Sequence, residues 1–178
     1  MERSVVIAGF GGQGVILAGK ILAQAGMDHG LEVTWLPSYG PEMRGGTANC
    51  TVVLSDEPVG SPIVDEPTSL IALNLPSLDK FEATLAPGAI ALVNASLVDR
   101  KVERDDVQAS YAPLNDLAVK LGSPRVLNMV ALGAFLKATG AVPLETVIAA
   151  MTRMMEESGK GKAVELNRTA LKEGYDAV

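Results

Sequence analysis

The hydrophobic pattern at the start of the chain predicts a strand, a helix and a second strand. Residues 4–8 form a short, mostly β-branched run with no charged residue inside it, which is typical of a strand buried on both faces of a parallel sheet. Apolar residues then recur at helical spacing from Val15 to Ala25, so a helix is expected to begin near Gly14. A second apolar run at residues 31–36 predicts the next strand.

Strand and helix patterns continue to alternate along the rest of the chain. Further strands are predicted at residues 70–73, 89–94 and 107–111, and short helices at 74–81 and 113–121. Three helices close the sequence, at residues 126–139, from Pro143 in a first turn, and from about Lys162. This order predicts an α/β fold, a Rossmann-like, doubly wound, mostly parallel sheet with C-terminal helices.

Two segments do not follow the alternation. Residues 47–54 are strand-like but have no helix before them, so we expect a strand inserted beside the parallel core, with an antiparallel direction left open. The charged run at residues 101–106 predicts a solvated turn.

Composition limits the possible functions. A chain of 178 residues with 48% hydrophobic residues is expected to form a single domain, residues 1–178, with a sizeable core. The net charge of −6 argues against a nucleic-acid-binding surface. No apolar run reaches the roughly 18 residues that a bilayer span needs, and no signal-peptide pattern precedes the first strand. We therefore expect a cytoplasmic protein that binds neither nucleic acid nor membrane.

The sequence contains one cysteine, Cys50, and one histidine, His29. An iron–sulfur cluster takes about four thiolates and a structural zinc site takes about four Cys or His ligands, so this chain alone is expected to hold no metal. Cys50 lies in an apolar run, which favours a small buried hydrophobe over a nucleophile. His29 follows the first predicted helix and is expected to be a helix-end residue.

A glycine-rich loop follows the first predicted strand and is the first candidate functional element. Gly9, Gly11 and Gly14 have the G-x-G-x-x-G spacing of dinucleotide-binding loops. The N-terminus of the following helix would face this loop and suit an anion. However, the acidic residue that usually holds the ribose at the end of the second strand is missing, since Glu32 lies at the start of that strand. A free-standing NAD- or FAD-binding oxidoreductase and a purely structural turn both stay open here.

Residues 38–46 form the second candidate element. They follow the carboxyl end of the second predicted strand, where open α/β sheets bind their ligands. Pro41 and three glycines predict a loop of defined shape. Arg44 can grip a carboxylate or phosphate through two hydrogen bonds, but an ion pair with Glu42 in a structural loop is equally compatible with the pattern.

Together the two blocks resemble the gamma subunit of 2-oxoacid:ferredoxin oxidoreductases. Residues 74–78, Val93, Asn94 and residues 128–133 are similar as well, so the resemblance covers essentially the whole chain. In the first block it points to a cofactor-binding or interface loop made of Gly9, Gly11, Gly12, Gln13 and Gly14. In the second block it points to a substrate or interface loop that contains Ser38, Tyr39, Gly40, Glu42, Arg44, Gly45 and Gly46.

The resemblance implies one part of a larger enzyme. Such complexes oxidatively decarboxylate a 2-oxoacid to an acyl-CoA and reduce ferredoxin, with coenzyme A as co-substrate. It implies that thiamine diphosphate, magnesium and the iron–sulfur clusters are held by partner subunits, and that this chain supplies no catalytic residue. The two loops are then expected to complete an interface near the active site, with a contribution of the glycine loop and Arg44 to coenzyme A binding.

The resemblance also bears on the substrate and on the isolated chain. Residues 37–42 are most similar to the 2-oxoglutarate or branched-chain 2-oxoisovalerate branch, while pyruvate and indolepyruvate stay open.

A mean hydropathy of +0.24 predicts exposed apolar patches on the isolated chain, as on subunits of permanent complexes. We therefore expect it to self-associate, for instance as a homodimer, or to be poorly soluble without partners. A scaffold whose loops only complete an interface is the remaining alternative.

Overall fold

The computed structural model describes residues 1–38 and 47–178. Six strands are found in these residues: β1 (Glu2–Phe10), β2 (Glu32–Ser38), β3 (Thr47–Ser55), β4 (Ser69–Ala72), β5 (Ile90–Asn94) and β6 (Gln108–Ala112). The helices in the same residues are α1 (Val15–Asp28), α2 (Leu75–Phe81), α3 (Leu114–Lys120), α4 (Leu127–Thr139), α5 (Leu144–Glu157) and α6 (Val164–Asp176). Short 3₁₀ turns lie at Glu82–Thr84, Pro124–Val126 and Gly161–Ala163.

The strands form one sheet with the order β2-β3-β1-β4-β5-β6. β1, β4, β5 and β6 run parallel, whereas β3 lies antiparallel between β1 and β2. Since β3 is antiparallel to both of its neighbours, β1 and β2 point the same way and their carboxyl ends lie at the same edge. The inserted strand and the mostly parallel α/β sheet are confirmed, and the direction of the insertion is now fixed.

Alternate residues of β1 contribute to two different hydrophobic clusters. Val5 and Ile7 pack with α1, α4, α5 and α6 on one face. Val6 and Ala8 pack with α2 and the segment after it on the other. Because successive strand residues point to opposite faces, a short apolar strand anchors both layers, which is the doubly wound arrangement.

Helix α4 is buried from Leu127 through Leu136. It lies between the sheet and α6, and the two helices approach closely where each has a glycine. A Cβ added at Gly133 would collide with the Leu171 carbonyl, and one at Gly174 with the Val130 carbonyl. Because neighbouring elements bury every side of α4 from Leu127 through Leu136, the helix is apolar all round and has no polar face there.

One prediction about element boundaries needs correction. Pro143 was expected in the first turn of α5, but it precedes that helix with an extended ψ of 138°. Proline is tolerated at this N-cap position because its missing N–H costs no helical hydrogen bond there. Its carbonyl accepts the backbone N–H groups of Thr146 and Val147 at 3.1 and 3.2 Å. Among the helices that the structure describes, none is long and apolar enough to cross a bilayer.

Candidate functional site

The glycine loop lies where the chain reverses its winding across the sheet. From β1 the chain continues through α1 on one face, and from the neighbouring β4 it continues through α2 on the opposite face. Such a switch point leaves a crevice at the carboxyl ends of the strands, where open α/β sheets bind ligands. The fold therefore places residues 9–14 at the position that the sequence predicts for a site.

Gln13 closes this loop on itself. Its Oε1 accepts a hydrogen bond from the Phe10 backbone N–H at 2.6 Å, and its own N–H donates to the Phe10 carbonyl at 3.2 Å. The carboxamide also fills the space over Gly9, where an added Cβ would be only 2.5 Å from Oε1. The Gln13 side chain thus already occupies the Phe10 amide and the space over Gly9. A dinucleotide phosphate would need both.

Asn128 holds the far end of the loop. It projects from the first turn of α4, is 4% exposed, and its Nδ2 donates to the Gly14 carbonyl at 3.3 Å. Gly14 itself has a φ of 76°, and a side chain there would collide with Asn128. Sequence reasoning noticed residues 128–133 only as a similar segment. The available signal was an isolated asparagine at the start of a helix that is otherwise apolar through Leu136.

A cavity of about 240 Å³ opens between the glycine loop and the start of α1. Its lining consists of glycine and apolar residues only: Phe10, Gly11, Gly12, Gly14, Val15, Ile16, Leu17 and Ala48. None of these described residues carries a charge, so the described lining offers a phosphate no cation. Phe10 and Leu17 are each 37% exposed, which leaves apolar surface in contact with water beside the loop.

Most of the second candidate block lies outside the described residues. These residues of the block are Tyr39, Gly40, Glu42, Arg44, Gly45 and Gly46. Its first residue, Ser38, ends β2, is exposed and pairs with Asn49 of β3. Thr47, which follows the block, pairs with Phe10 at the end of β1. Ser38 and Thr47, which flank the part of the block outside the described residues, therefore lie at the same edge of the sheet as the glycine loop.

Two buried asparagines organise the neighbouring strand ends. Asn74 Oδ1 caps α2 by accepting the Ser77 N–H at 2.8 Å. Asn94 Nδ2 donates to the Leu73 carbonyl at 3.0 Å and its Oδ1 accepts the Leu114 N–H at 3.1 Å. These amides fix the loops after β4 and β5. In the described part of the chain, Asn74 Nδ2 and Ser77 Oγ have no hydrogen-bond partner.

Cys50 and His29 have the structural roles that the sequence predicts. Cys50 is fully buried, and burial raises the pKa of its thiol to about 12. Its Sγ lies 3.5 Å from the Val15 carbonyl, so it is a protonated, packed thiol rather than a nucleophile. His29 ends α1, and its N–H donates to the Ala25 carbonyl at 2.9 Å.

The charged run at residues 101–106 is more than a solvated turn, so that prediction is wrong in part. Glu82, only 7% exposed, accepts from Arg100 at 2.7 Å. Arg104 donates to the Leu85 carbonyl at 2.5 Å and to Asp106 at 2.6 Å, and this contact lowers the pKa of the Asp106 carboxyl. The guanidinium donors of Arg100 and Arg104 are bonded to protein acceptors. These contacts hold the segment between β5 and β6 against α2 and the turn that follows it, and they leave no open anion site on the two arginines.

Known proteins resemble the chain over its full length. A family model described as pyruvate ferredoxin/flavodoxin oxidoreductase matches residues 4–177. The ketoisovalerate oxidoreductase subunit VorA of Methanothermobacter marburgensis is 40% identical over 98% of the chain. The 2-oxoglutarate synthase subunit KorC of Methanocaldococcus jannaschii is 36% identical over 99% of the chain and 94% of its own length.

Solved structures agree with the fold. The gamma subunit of a keto/oxoacid ferredoxin oxidoreductase from Geobacter sulfurreducens is 34% identical, with a TM-score of 0.84 over 98% of this chain and 97% of that one. A 2-oxoglutarate:ferredoxin oxidoreductase from Magnetococcus marinus is 25% identical, with a TM-score of 0.88 over 99% of this chain. The chain spans 36% of the length of VorA and 31% of the Magnetococcus chain.

Proposed function

Because the chain belongs to the pyruvate ferredoxin/flavodoxin oxidoreductase family, we propose that it is the gamma subunit of a 2-oxoacid:ferredoxin oxidoreductase. In this proposal residues 1–178 form one domain of a complex that converts a 2-oxoacid and coenzyme A to an acyl-CoA. The preferred 2-oxoacid is 2-oxoglutarate or branched-chain 2-oxoisovalerate. The observation that carries the proposal is the match to KorC, which covers nearly all of both chains.

The alternative of a free-standing NAD- or FAD-binding oxidoreductase is not supported. The relatives are subunits of 2-oxoacid oxidoreductases, and the glycine loop differs physically from an open dinucleotide cradle. Gln13 occupies the space over Gly9 and takes the Phe10 amide. The end of β2 also lacks the acidic residue that would hold a ribose.

Neither the cysteine content of this chain nor its described residues offer a site for an iron–sulfur cluster or a metal ion. Cys50 is its one cysteine, buried in β3 as a protonated thiol, and an iron–sulfur cluster takes about four thiolates. In the described residues no three His, Cys, Asp or Glu side chains come together in a way that could hold a metal ion. We therefore assign thiamine diphosphate, magnesium and the iron–sulfur clusters to partner subunits, with ferredoxin as the acceptor.

The two loops are proposed to complete an interface close to the active site. Support comes from the fold, since Ser38 and Thr47 flank the second block at the same edge as residues 9–14. If coenzyme A reaches this edge, its phosphates need a cation that the apolar cavity does not supply. Arg44 or a partner subunit would then provide that charge.

The test is to tag the chain in its host, purify it gently without oxygen and identify the chains that come with it. The same eluate is assayed for reduction of a viologen dye, the electron acceptor, in a reaction that depends on both a 2-oxoacid and coenzyme A. We expect thiamine-binding and cluster-bearing chains together with activity, and the preferred 2-oxoacid names the branch. A lone, inactive chain would contradict the proposal.

A further inference from the structure

Asn128 is a buried polar side chain in a helix that is otherwise apolar at its buried end. It is 4% exposed and is the one polar residue among the buried residues from Leu127 through Leu136. Burying a carboxamide costs free energy unless its hydrogen bonds with water are replaced. An apolar side chain would fill this place without that cost, so packing alone does not account for an asparagine.

The contacts of Asn128 beyond its own helix lead to the glycine loop. Its Nδ2 donates to the Gly14 carbonyl at 3.3 Å, and the same carbonyl accepts the N–H of Ala18, the first helical bond of α1, at 3.0 Å. Its Oδ1 accepts the Met129 N–H at 3.0 Å, which leaves the donor end of the carboxamide facing Gly14. Asn128 thus fixes the residue at which the loop becomes a helix.

The first and last glycines of the loop are both in contact with a carboxamide of the protein itself. Gln13 fills the space over Gly9, and Asn128 fills the space beside Gly14, where a Cβ would collide with it. In dinucleotide-binding folds the corresponding glycines allow a tight turn and a close approach of helix and strand. Here the same room is used to brace the loop at each end.

Helix α4 gives Asn128 a rigid support. The backbones of α4 and α6 are in direct contact at Gly133 and Gly174, where a Cβ would collide with the carbonyls of Leu171 and Val130. Helix α4 therefore cannot shift along α6 without breaking this contact. Rigid support of this kind is what a binding element needs, because small displacements of its groups weaken binding.

We propose that Asn128 is a positioning residue, which holds the glycine loop in the conformation in which the complex binds its substrates. The inference rests on the proposed function and deepens it by naming a residue outside both candidate loops. Asn128 acts through Gly14. Because a loop that binds without reacting contributes equally to the ground state and the transition state, its displacement raises the Michaelis constant and leaves kcat unchanged.

The experiment compares Asn128→Asp and Asn128→Ala in the complete complex. Aspartate has the shape of asparagine, but its carboxylate only accepts hydrogen bonds, so the donor to the Gly14 carbonyl is lost. A negative charge in the first turn of α4 is favourable for the helix, and alanine is the best helix former. Both variants should therefore fold, which a thermal melt of the complex verifies.

Asn167→Ala is the matched control. Asn167 is also a buried asparagine, 8% exposed, and its Nδ2 donates to one backbone carbonyl, that of Ala163, at 2.8 Å. This bond lies at the start of α6 and does not reach the glycine loop. Two quantities are measured for each protein: the steady-state constants for coenzyme A and the 2-oxoacid, and amide hydrogen exchange of residues 9–14, which reports local opening of the loop.

We expect both Asn128 variants to raise the Michaelis constant for at least one of the two substrates about tenfold, as loss of one hydrogen bond does. The value of kcat should stay within about twofold, and residues 9–14 should exchange faster. Asn167→Ala should change neither the constants nor this exchange. Unchanged Michaelis constants in both Asn128 variants, an equal rise in Asn167→Ala, or a fall in kcat alone would overturn the inference.

The same measurements separate this inference from the proposed function. If the unchanged complex turns over a 2-oxoacid and both Asn128 variants match it, only the role of Asn128 fails. If the unchanged chain joins no active complex, the proposed function fails and this inference fails with it.

Discussion

Replacing Asn94 by alanine should destabilise the protein at the edge of the sheet that carries the candidate site. Asn94 is fully buried and its carboxamide makes four hydrogen bonds. Nδ2 donates to the Leu73 carbonyl at 3.0 Å and to Asn115 Oδ1 at 2.6 Å. Oδ1 accepts the N–H groups of Leu114 and Ser96 at 3.1 and 3.2 Å. One side chain thereby joins the ends of β4 and β5 to the start of α3.

The magnitude follows from the groups that lose their partner. The Leu73 carbonyl and the Leu114 N–H belong to residues that are themselves buried. Each buried group left without a hydrogen-bond partner costs about 1–3 kcal/mol. The Ser96 N–H is only partly buried and adds little. We expect a loss of about 3 kcal/mol in the free energy of unfolding, which for a domain of this size lowers the melting temperature by about 6–12 °C.

Urea unfolding followed by circular dichroism measures this loss, with Asn115→Ala as the matched control. Asn115 shares only the Nδ2 contact with Asn94 and is less buried, so its replacement should cost at most about 1 kcal/mol. Equal losses for the two variants, or a loss below about 1 kcal/mol for Asn94→Ala, would refute the reasoning. The backbone groups would then find other partners without this side chain.

Three further outcomes are expected. Arg44→Ala should leave partial assembly and raise the Michaelis constant of the complex for either the 2-oxoacid or coenzyme A; unchanged constants for both would argue against a substrate role. The isolated chain should show no micromolar binding of NAD or NADP in a calorimetric titration, because Gln13 fills the loop, and tight binding would contradict the subunit assignment. Burial raises the pKa of Cys50 from about 9 to about 12, so the unfolded state loses this proton first, and stability should fall as pH rises through that window. Cys50→Ala should remove this part of the pH dependence, and an identical slope in both proteins would show that other groups cause it.

The sequence patterns predict most of the fold because they report burial directly. The short run at β1 and the helical spacing of α1 are both products of a two-layer core. The sequence pattern leaves the direction of β3 open, because an apolar strand buried beside β1 has the same pattern whether it runs parallel or antiparallel. The register along the two strands, from Glu2 paired with Ser55 to Phe10 paired with Thr47, decides it.

The position of the glycine loop in the fold was predictable, but the contacts that hold it were not. The spacing of the glycines located the loop, whereas the Asn128 contact joins residues 114 positions apart and leaves no local signal. The same reason explains why residues 101–106 look solvated in the sequence. Their contacts with Glu82, which lies in an earlier turn of the chain, appear only in the folded structure. Long-range polar contacts depend on tertiary placement, which periodicity does not encode.

The close packing of α4 against α6 also sets an order of events during synthesis. The glycine loop leaves the ribosome early, but Asn128, which holds Gly14, emerges more than a hundred residues later. Helix α4 in turn stays uncovered on one side until α6, ending at Asp176, has been made. At about 5–20 residues per second, the nascent chain therefore presents an apolar helix to the cell for a few seconds, and the glycine loop is fixed only after Asn128 has emerged.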